Sequence, residues 1–178
     1  MINLRKRLYF LVPAVLAALL QHTIHESVHY LAAMFYDVPV LEFRFLTNGL
    51  LTSQVIYATP VADRVGFHWL VIAWLPAFVT ILIGYVLYLT RRHWLTEIPL
   101  LNAGLWFATA YFLLVDPLYF GILSFFFGGG DVGAVAAVDW PRWPVHTLSI
   151  LVLLFNLWLV YKMRQESKSH PEKYLPGS

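Results

Sequence analysis

The sequence predicts an all-α integral membrane protein. It has about four transmembrane helices, a small β-hairpin, and a re-entrant or broken segment near a candidate site. Three observations predict this. Hydrophobic residues make up 60% of the 178 positions and charged residues only 12%, too little polar surface to coat a water-facing globule. Long apolar stretches run over about Leu8–Tyr36, Phe67–Thr90, Ile98–Val115 and Val145–Tyr161. The basic clusters flank alternate ends of these stretches, as they do when a chain crosses a bilayer repeatedly.

The first stretch follows Arg5-Lys6-Arg7, and Leu8 to Leu20 resembles the apolar core of a secretory signal peptide. The apolar run continues to about Tyr36, beyond signal-peptide length, and therefore reads as an uncleaved spanning helix. A span needs roughly 20 residues at about 1.5 Å each. The first helix is long enough to tilt or protrude, and the last two lie near the short limit. Arg5, Lys6 and Arg7 precede helix one; Arg91 and Arg92 follow helix two; Lys162, Arg164, Lys168 and Lys173 follow helix four. Crossing four times places all three clusters on one side, so both termini are predicted to be cytoplasmic. The opposite loops hold Arg44, Arg64 and Arg142.

Between helices one and two the texture changes. Val40 to Phe45 alternates apolar and polar residues, Asn48-Gly49 is a turn pair, and Leu51 to Tyr57 is rich in Thr, Val, Ile and Tyr. This predicts a β-hairpin over about 40–57. Two roles stay open: a cover over a helix end, or an edge strand that pairs with an extended peptide.

In residues 116–144, Asp116-Pro117 is expected to end or kink helix three. Tyr119 to Phe127 is apolar, Gly128-Gly129-Gly130 breaks it, and Asp131 to Val138 suits a short helix. Trp140-Pro-Arg-Trp-Pro144 has the aromatic character of the membrane interface. A fifth full span would put the basic C-terminus on the wrong side, so a re-entrant or broken segment is predicted. Residues 1–164 read as a single membrane-embedded domain, and 165–178 as a polar, mobile tail.

The formal net charge of +2 is too small to indicate a nucleic-acid partner, and the expected surroundings are the lipid bilayer. Nothing in the sequence sets an oligomeric state. With no cysteine, a zinc site must be built from His, Asp and Glu.

His25-Glu26-Ser27-Val28-His29 is an H-E-x-x-H sequence inside the first apolar helix. Positions i and i+4 lie on one helical face, so both imidazoles can bind one ion. Glu26 follows the first ligand by one residue, where it can act as general base toward a zinc-activated water without binding the metal. Ionisable residues inside a spanning helix cost about 2.5–3.5 kcal/mol for the charged types on insertion scales. His22, His25, Glu26 and His29 follow the i, i+3, i+4, i+7 rule and share one face. Such a cluster predicts metal catalysis. His25 lies roughly 26 Å along the axis from Leu8 at about 1.5 Å per residue, placing the site toward the non-cytoplasmic end.

Catalytic zinc sites usually have three protein ligands plus water. Asp131 is the preferred third donor, since it follows three glycines and opens a short helix. On local grounds an N-cap aspartate fits it equally. Asp116 before Pro117 reads as a turn former, and Asp139 beside Trp140-Pro141 as interfacial. His68 and His146 begin helices two and four and are alternative donors or interfacial histidines. His22 is a candidate partner for His25. Asn102 and Asn156 suit either substrate or oxyanion binding, or hydrogen bonding between helices.

An H-E-x-x-H pentad in a membrane helix, a β-rich stretch, further spans and a downstream Gly-flanked Asp resemble the site-2 protease family of intramembrane metalloproteases. The likeness covers about residues 15–140, with His25–His29 as its specific element. In that family the third ligand is an Asp in an L-D-G-type motif, usually preceded by Asn-Pro. Phe127-Gly-Gly-Gly-Asp131-Val-Gly133 matches loosely: Val132 stands where Gly is usual, and no Asn-Pro precedes it. The resemblance implies Zn2+ held by His25, His29 and Asp131, and Glu26 as catalytic base. It further implies a membrane-spanning protein or peptide substrate that unwinds locally to expose a carbonyl. Many bacterial members place zinc near the cytoplasmic face, whereas the charge count here places it near the opposite one.

Two other functions suit the same residues. A b-type haem clamped by His22 or His29 with His68 or His146 would make an electron-transfer protein, without need of Glu26. A non-proteolytic metal-binding or transport protein would likewise use helix-borne His and Asp.

Overall fold

The structure, a computed structural model, describes residues 4–47, 52–127 and 130–169. The expected turn at Asn48-Gly49, Gly128-Gly129 and the tail beyond Ser169 lie outside the described residues.

The chain is mostly helical with one antiparallel pair of strands. Helix α1 spans Leu4–Phe35. Inside it, the Thr23 hydroxyl donates to Leu19 O (2.7 Å) and the Ser27 hydroxyl to Thr23 O (2.7 Å), which satisfies polar side chains without breaking the helix. Asp37 ends the helix in the left-handed region (φ 53°). Val38 N donates to Ala33 O and Asp37 N to Met34 O, the paired bonds of a Schellman cap. Pro39 then turns the chain into the hairpin.

Strand β1, Val40–Thr47, pairs with β2, Thr52–Tyr57, through registers such as Phe43 with Val55. Irregularities fall between Val40 and Glu42 and between Arg44 and Thr47. Both strands pack on α1. A short 3-10 turn, Val61–Asp63, leads to Gly66. Gly66 takes φ 101°, which a side chain would resist, and its N–H donates to Ala137 O at 2.8 Å.

Helix α2, Phe67–Trp94, and helix α3, Pro99–Leu118, form an antiparallel pair. Their close approach depends on Gly84, where an added Cβ would come within 3.0 Å of the Leu113 backbone nitrogen. Central α3 touches α1, α2 and helix α6, Trp143–Ser169. Asn156 ties three helices together. Its Nδ2–H donates to Leu113 O (2.6 Å) while its Oδ1 accepts from Tyr85 (2.9 Å). Leu113 O is available because Pro117, four residues on, has no N–H to offer it.

Of the two outcomes expected at Asp116-Pro117, an end or a kink, the end does not occur. The helix continues through a π-helical turn, Tyr119–Leu123, into a final turn α4, Ser124–Phe127. The apolar Tyr119–Phe127 stretch is thus the continuation of α3. Pro117 is accommodated because Leu113 O finds Asn156, and the wider turn that follows re-forms the bonding pattern. Short helix α5, Gly130–Gly133, and a 3-10 turn, Ala134–Val138, cross back toward α2. The tail boundary also shifts: α6 carries the first residues of the expected tail as helix to Ser169.

Among the described residues, three helices are long and apolar enough to cross a membrane: Phe67–Trp94, Pro99–Phe126 and Trp143–Ser169. In α6 only 22% of the most apolar window is buried within the protein, so its surface suits lipid contact. Helix α1 is longer than any of these and carries Gln21, His22, His25, Glu26 and His29 within its apolar length.

Candidate metal centre

Helical periodicity sets the first part of the site. His25, Glu26 and His29 of α1 are 7%, 8% and 7% exposed, and the two imidazole centroids lie 4.9 Å apart. The third member comes from far along the chain. Asp131 Oδ2 is 3.7 Å from His25 Nε2, and Asp131 Oδ1 is 3.5 Å from His29 Nε2. Helix α5 is held there by Val132, 1% exposed and packed with Ala77 and Phe120, and by Trp74, whose Nε1–H donates to Asp131 O at 3.0 Å.

His25, His29 and Asp131 form a group that can hold a metal ion, with one donor atom from each within 4.8 Å of the others. The donor set fits that use. A tetrahedral ion with bonds of about 2.0–2.2 Å needs donors roughly 3.3–3.5 Å apart, close to the two separations above. Two imidazoles and one carboxylate leave a fourth position open, the arrangement of catalytic sites. Buried Glu26 lies within electrostatic reach of His25, His29 and Asp131.

Both Nε2 atoms face Asp131 because both Nδ1 atoms are engaged behind them. His29 Nδ1 is 2.8 Å from Ile72 O. Within α2 that carbonyl would accept from residue 76, which is Pro76 and has no N–H. Donation by Nδ1–H leaves the Nε2 lone pair free for a metal. His25 Nδ1 is 3.0 Å from Asp116 Oδ1, off the straight line of a well-formed hydrogen bond. Asp116, 4% exposed, also accepts from Gln21 Nε2 (3.1 Å) and from the Thr80 hydroxyl. Asp116 therefore is not the turn former expected from Asp-Pro. It sits in the last turn of α3 and joins α1, α2 and α3 beneath His25.

The remaining candidates are placed elsewhere. His68 packs with Tyr36 and Trp69. His146 Nδ1 is 2.8 Å from Phe120 O, and its ring stacks on Phe125 at 4.0 Å. Asp139 closes the 3-10 turn in a left-handed conformation (φ 54°), which Asp tolerates. Half-buried His22 lies one turn before His25, within electrostatic reach of it and of Asp116, while His25 Nδ1 faces Asp116. Asn102 bonds Thr96 at the α2–α3 loop through Thr96 N (2.9 Å) and Thr96 O (2.9 Å). Asn102 and Asn156 thus hold the bundle together and are not part of the metal group.

Tyr57, at the end of β2, had no assigned role in the sequence beyond strand propensity. Its ring packs on Trp69 (5.4 Å), with the Arg64 guanidinium 4.9 Å from the ring centroid. Burial pushes its phenol pKa up. The negative charges of Asp131 and Glu26 push it the same way, against the Arg64 cation. The hairpin therefore delivers a hydroxyl-bearing ring to the neighbourhood of the metal group.

A mostly apolar cavity of about 300 Å³ opens beside the centre, with Phe78 and Ile81 of α2 facing Val145 and Leu148 of α6. Trp74 and Asp116, which touch the metal group's supports, are in its wall. No family model, curated protein or solved structure matches the chain.

Proposed function

We propose that this chain is an intramembrane zinc metalloprotease of the site-2 protease type, hydrolysing peptide bonds of membrane-spanning substrates. The observation that carries the reading is the convergence of Asp131 on the two histidines of an H-E-x-x-H helix across more than a hundred residues of sequence. Chance supplies the pentad readily. It does not supply a half-buried carboxylate at metal-binding distance from both rings.

In this reading α1 crosses the bilayer with the three strongly apolar helices, α5 lies within the membrane-embedded part, and both termini are cytoplasmic. His25, His29 and Asp131 would hold the zinc. When bound, zinc supplies Lewis acidity toward a carbonyl and lowers the pKa of water. Glu26 takes the proton of the attacking water and passes it to the leaving amine. The hairpin offers an edge to an extended substrate segment, and the apolar cavity between α2 and α6 suits the side chains of such a segment.

Glu26→Gln tests the assignment. Purified variant and wild type are compared for zinc content and for cleavage of a membrane-embedded substrate. Zinc should be retained, and turnover should fall by roughly 10²–10⁴-fold, the range for loss of a general base. Unimpaired turnover in the Gln variant would end the protease reading.

A further inference from the structure

We propose that Asp116 is a positioning residue of the metal centre: its carboxylate holds His25 so that Nε2 points at the ion. The inference rests on the metal-centre reading above and adds a residue that the H-E-x-x-H pattern does not contain.

A carboxylate 4% exposed in the middle of an apolar bundle is expensive unless its oxygens are matched. Three side chains do such matching, against the like charge of Glu26 nearby. Gln21 and Thr80 approach Oδ2, and His25 Nδ1 approaches Oδ1 at 3.0 Å. Gln21 is 3% exposed and Thr80 is fully buried, so neither reaches water instead. The two donors on Oδ2 fix the plane of the carboxylate, and Oδ1 is left to face the imidazole.

The consequence lies on the other side of the ring. A carboxylate at Nδ1 favours the tautomer with the proton on Nδ1, which leaves the Nε2 lone pair for the metal and makes it more basic. His29 is set up in parallel by a neutral carbonyl, Ile72 O. The two rings thus have unequal supports, and the charged one sits behind His25. The present contact is bent. A carboxylate held at Nδ1 and an ion at Nε2 favour the same tautomer, so metal binding and the Asp116 contact should reinforce each other.

The test uses the full chain in detergent, with zinc affinity measured by chelator competition and the ligand field read from the Co2+ absorption spectrum. Asp116→Asn keeps shape and removes charge. Zinc affinity should fall by roughly 10–100-fold, the usual range for an outer partner of a metal-bound histidine. One equivalent should still bind at saturation, and the cobalt bands should shift. If Asp116→Asn does not fold, Thr80→Val frees the carboxylate to rotate, and a smaller fall with the same direction of cobalt shift is expected.

Wild-type affinity and an unchanged cobalt spectrum in the folded variant would overturn the role of Asp116 while leaving the metal centre standing. Absence of zinc binding in the wild type would remove both readings together. Loss of thermal stability with full retention of affinity would show that Asp116 serves only the fold.

Discussion

The Nδ1 atom of His29 lies 2.8 Å from the carbonyl oxygen of Ile72, and that oxygen has no helical donor because residue 76 is proline. A helix defect in α2 is thereby converted into a support for a side chain of α1. Pro117 acts in the same way, since the carbonyl it leaves open, Leu113 O, accepts from Asn156. In an apolar bundle an open carbonyl costs free energy unless another helix supplies the donor. Here each proline specifies an interhelical bond.

Pro76→Ala would supply an N–H to Ile72 O in competition with His29. Helix propensity alone favours alanine by about 3 kcal/mol, so the variant should fold with equal or higher thermal stability. Its zinc affinity should drop by about 10-fold, the low end for a lost outer partner, because the carbonyl can still be shared. Chelator competition checks this, and undiminished affinity would show that the proline serves only the helix.

His25→Ala and His29→Ala should each abolish zinc binding and cleavage, as each removes one of three donors. Asp131→Asn should retain the fold and bind zinc weakly, since an amide is a poorer donor than a carboxylate. Metal analysis of the three variants beside wild type measures the stoichiometry. Full zinc content in Asp131→Asn would assign the third position to a different residue.

Asn156→Leu separates scaffold from site. It leaves Leu113 O and the Tyr85 hydroxyl without their partner and should cost about 1–3 kcal/mol of stability. Zinc stoichiometry should be unchanged, because Asn156 touches none of the metal group. Thermal unfolding in detergent with parallel metal analysis reads both effects.

Much of the architecture was legible in the sequence because hydrophobic patterning reports local structure directly. Apolar length located the long helices, alternation with β-branched residues located the hairpin, and the i, i+4 spacing put His25 and His29 on one face. The helix end that Asp116-Pro117 offers is not realised, for a physical reason. A proline ends a helix when its orphaned carbonyl has only water to turn to; inside the bundle Asn156 answers it and the helix runs on.

Sequence alone determined that two imidazoles and a carboxylate share one turn of an apolar helix, since periodicity is a property of neighbouring residues. Only the tertiary structure decided which distant acid joins them. Local context favours Asp131, after three glycines, over Asp116 before a proline, but it leaves Asp131 an equal reading as an N-cap and gives Asp116 no place in the site; the fold sends one to the Nε2 side of His25 and the other to the Nδ1 side. That division depends on how α3 and α5 pack against α1, and packing between segments a hundred residues apart leaves no trace in local spacing.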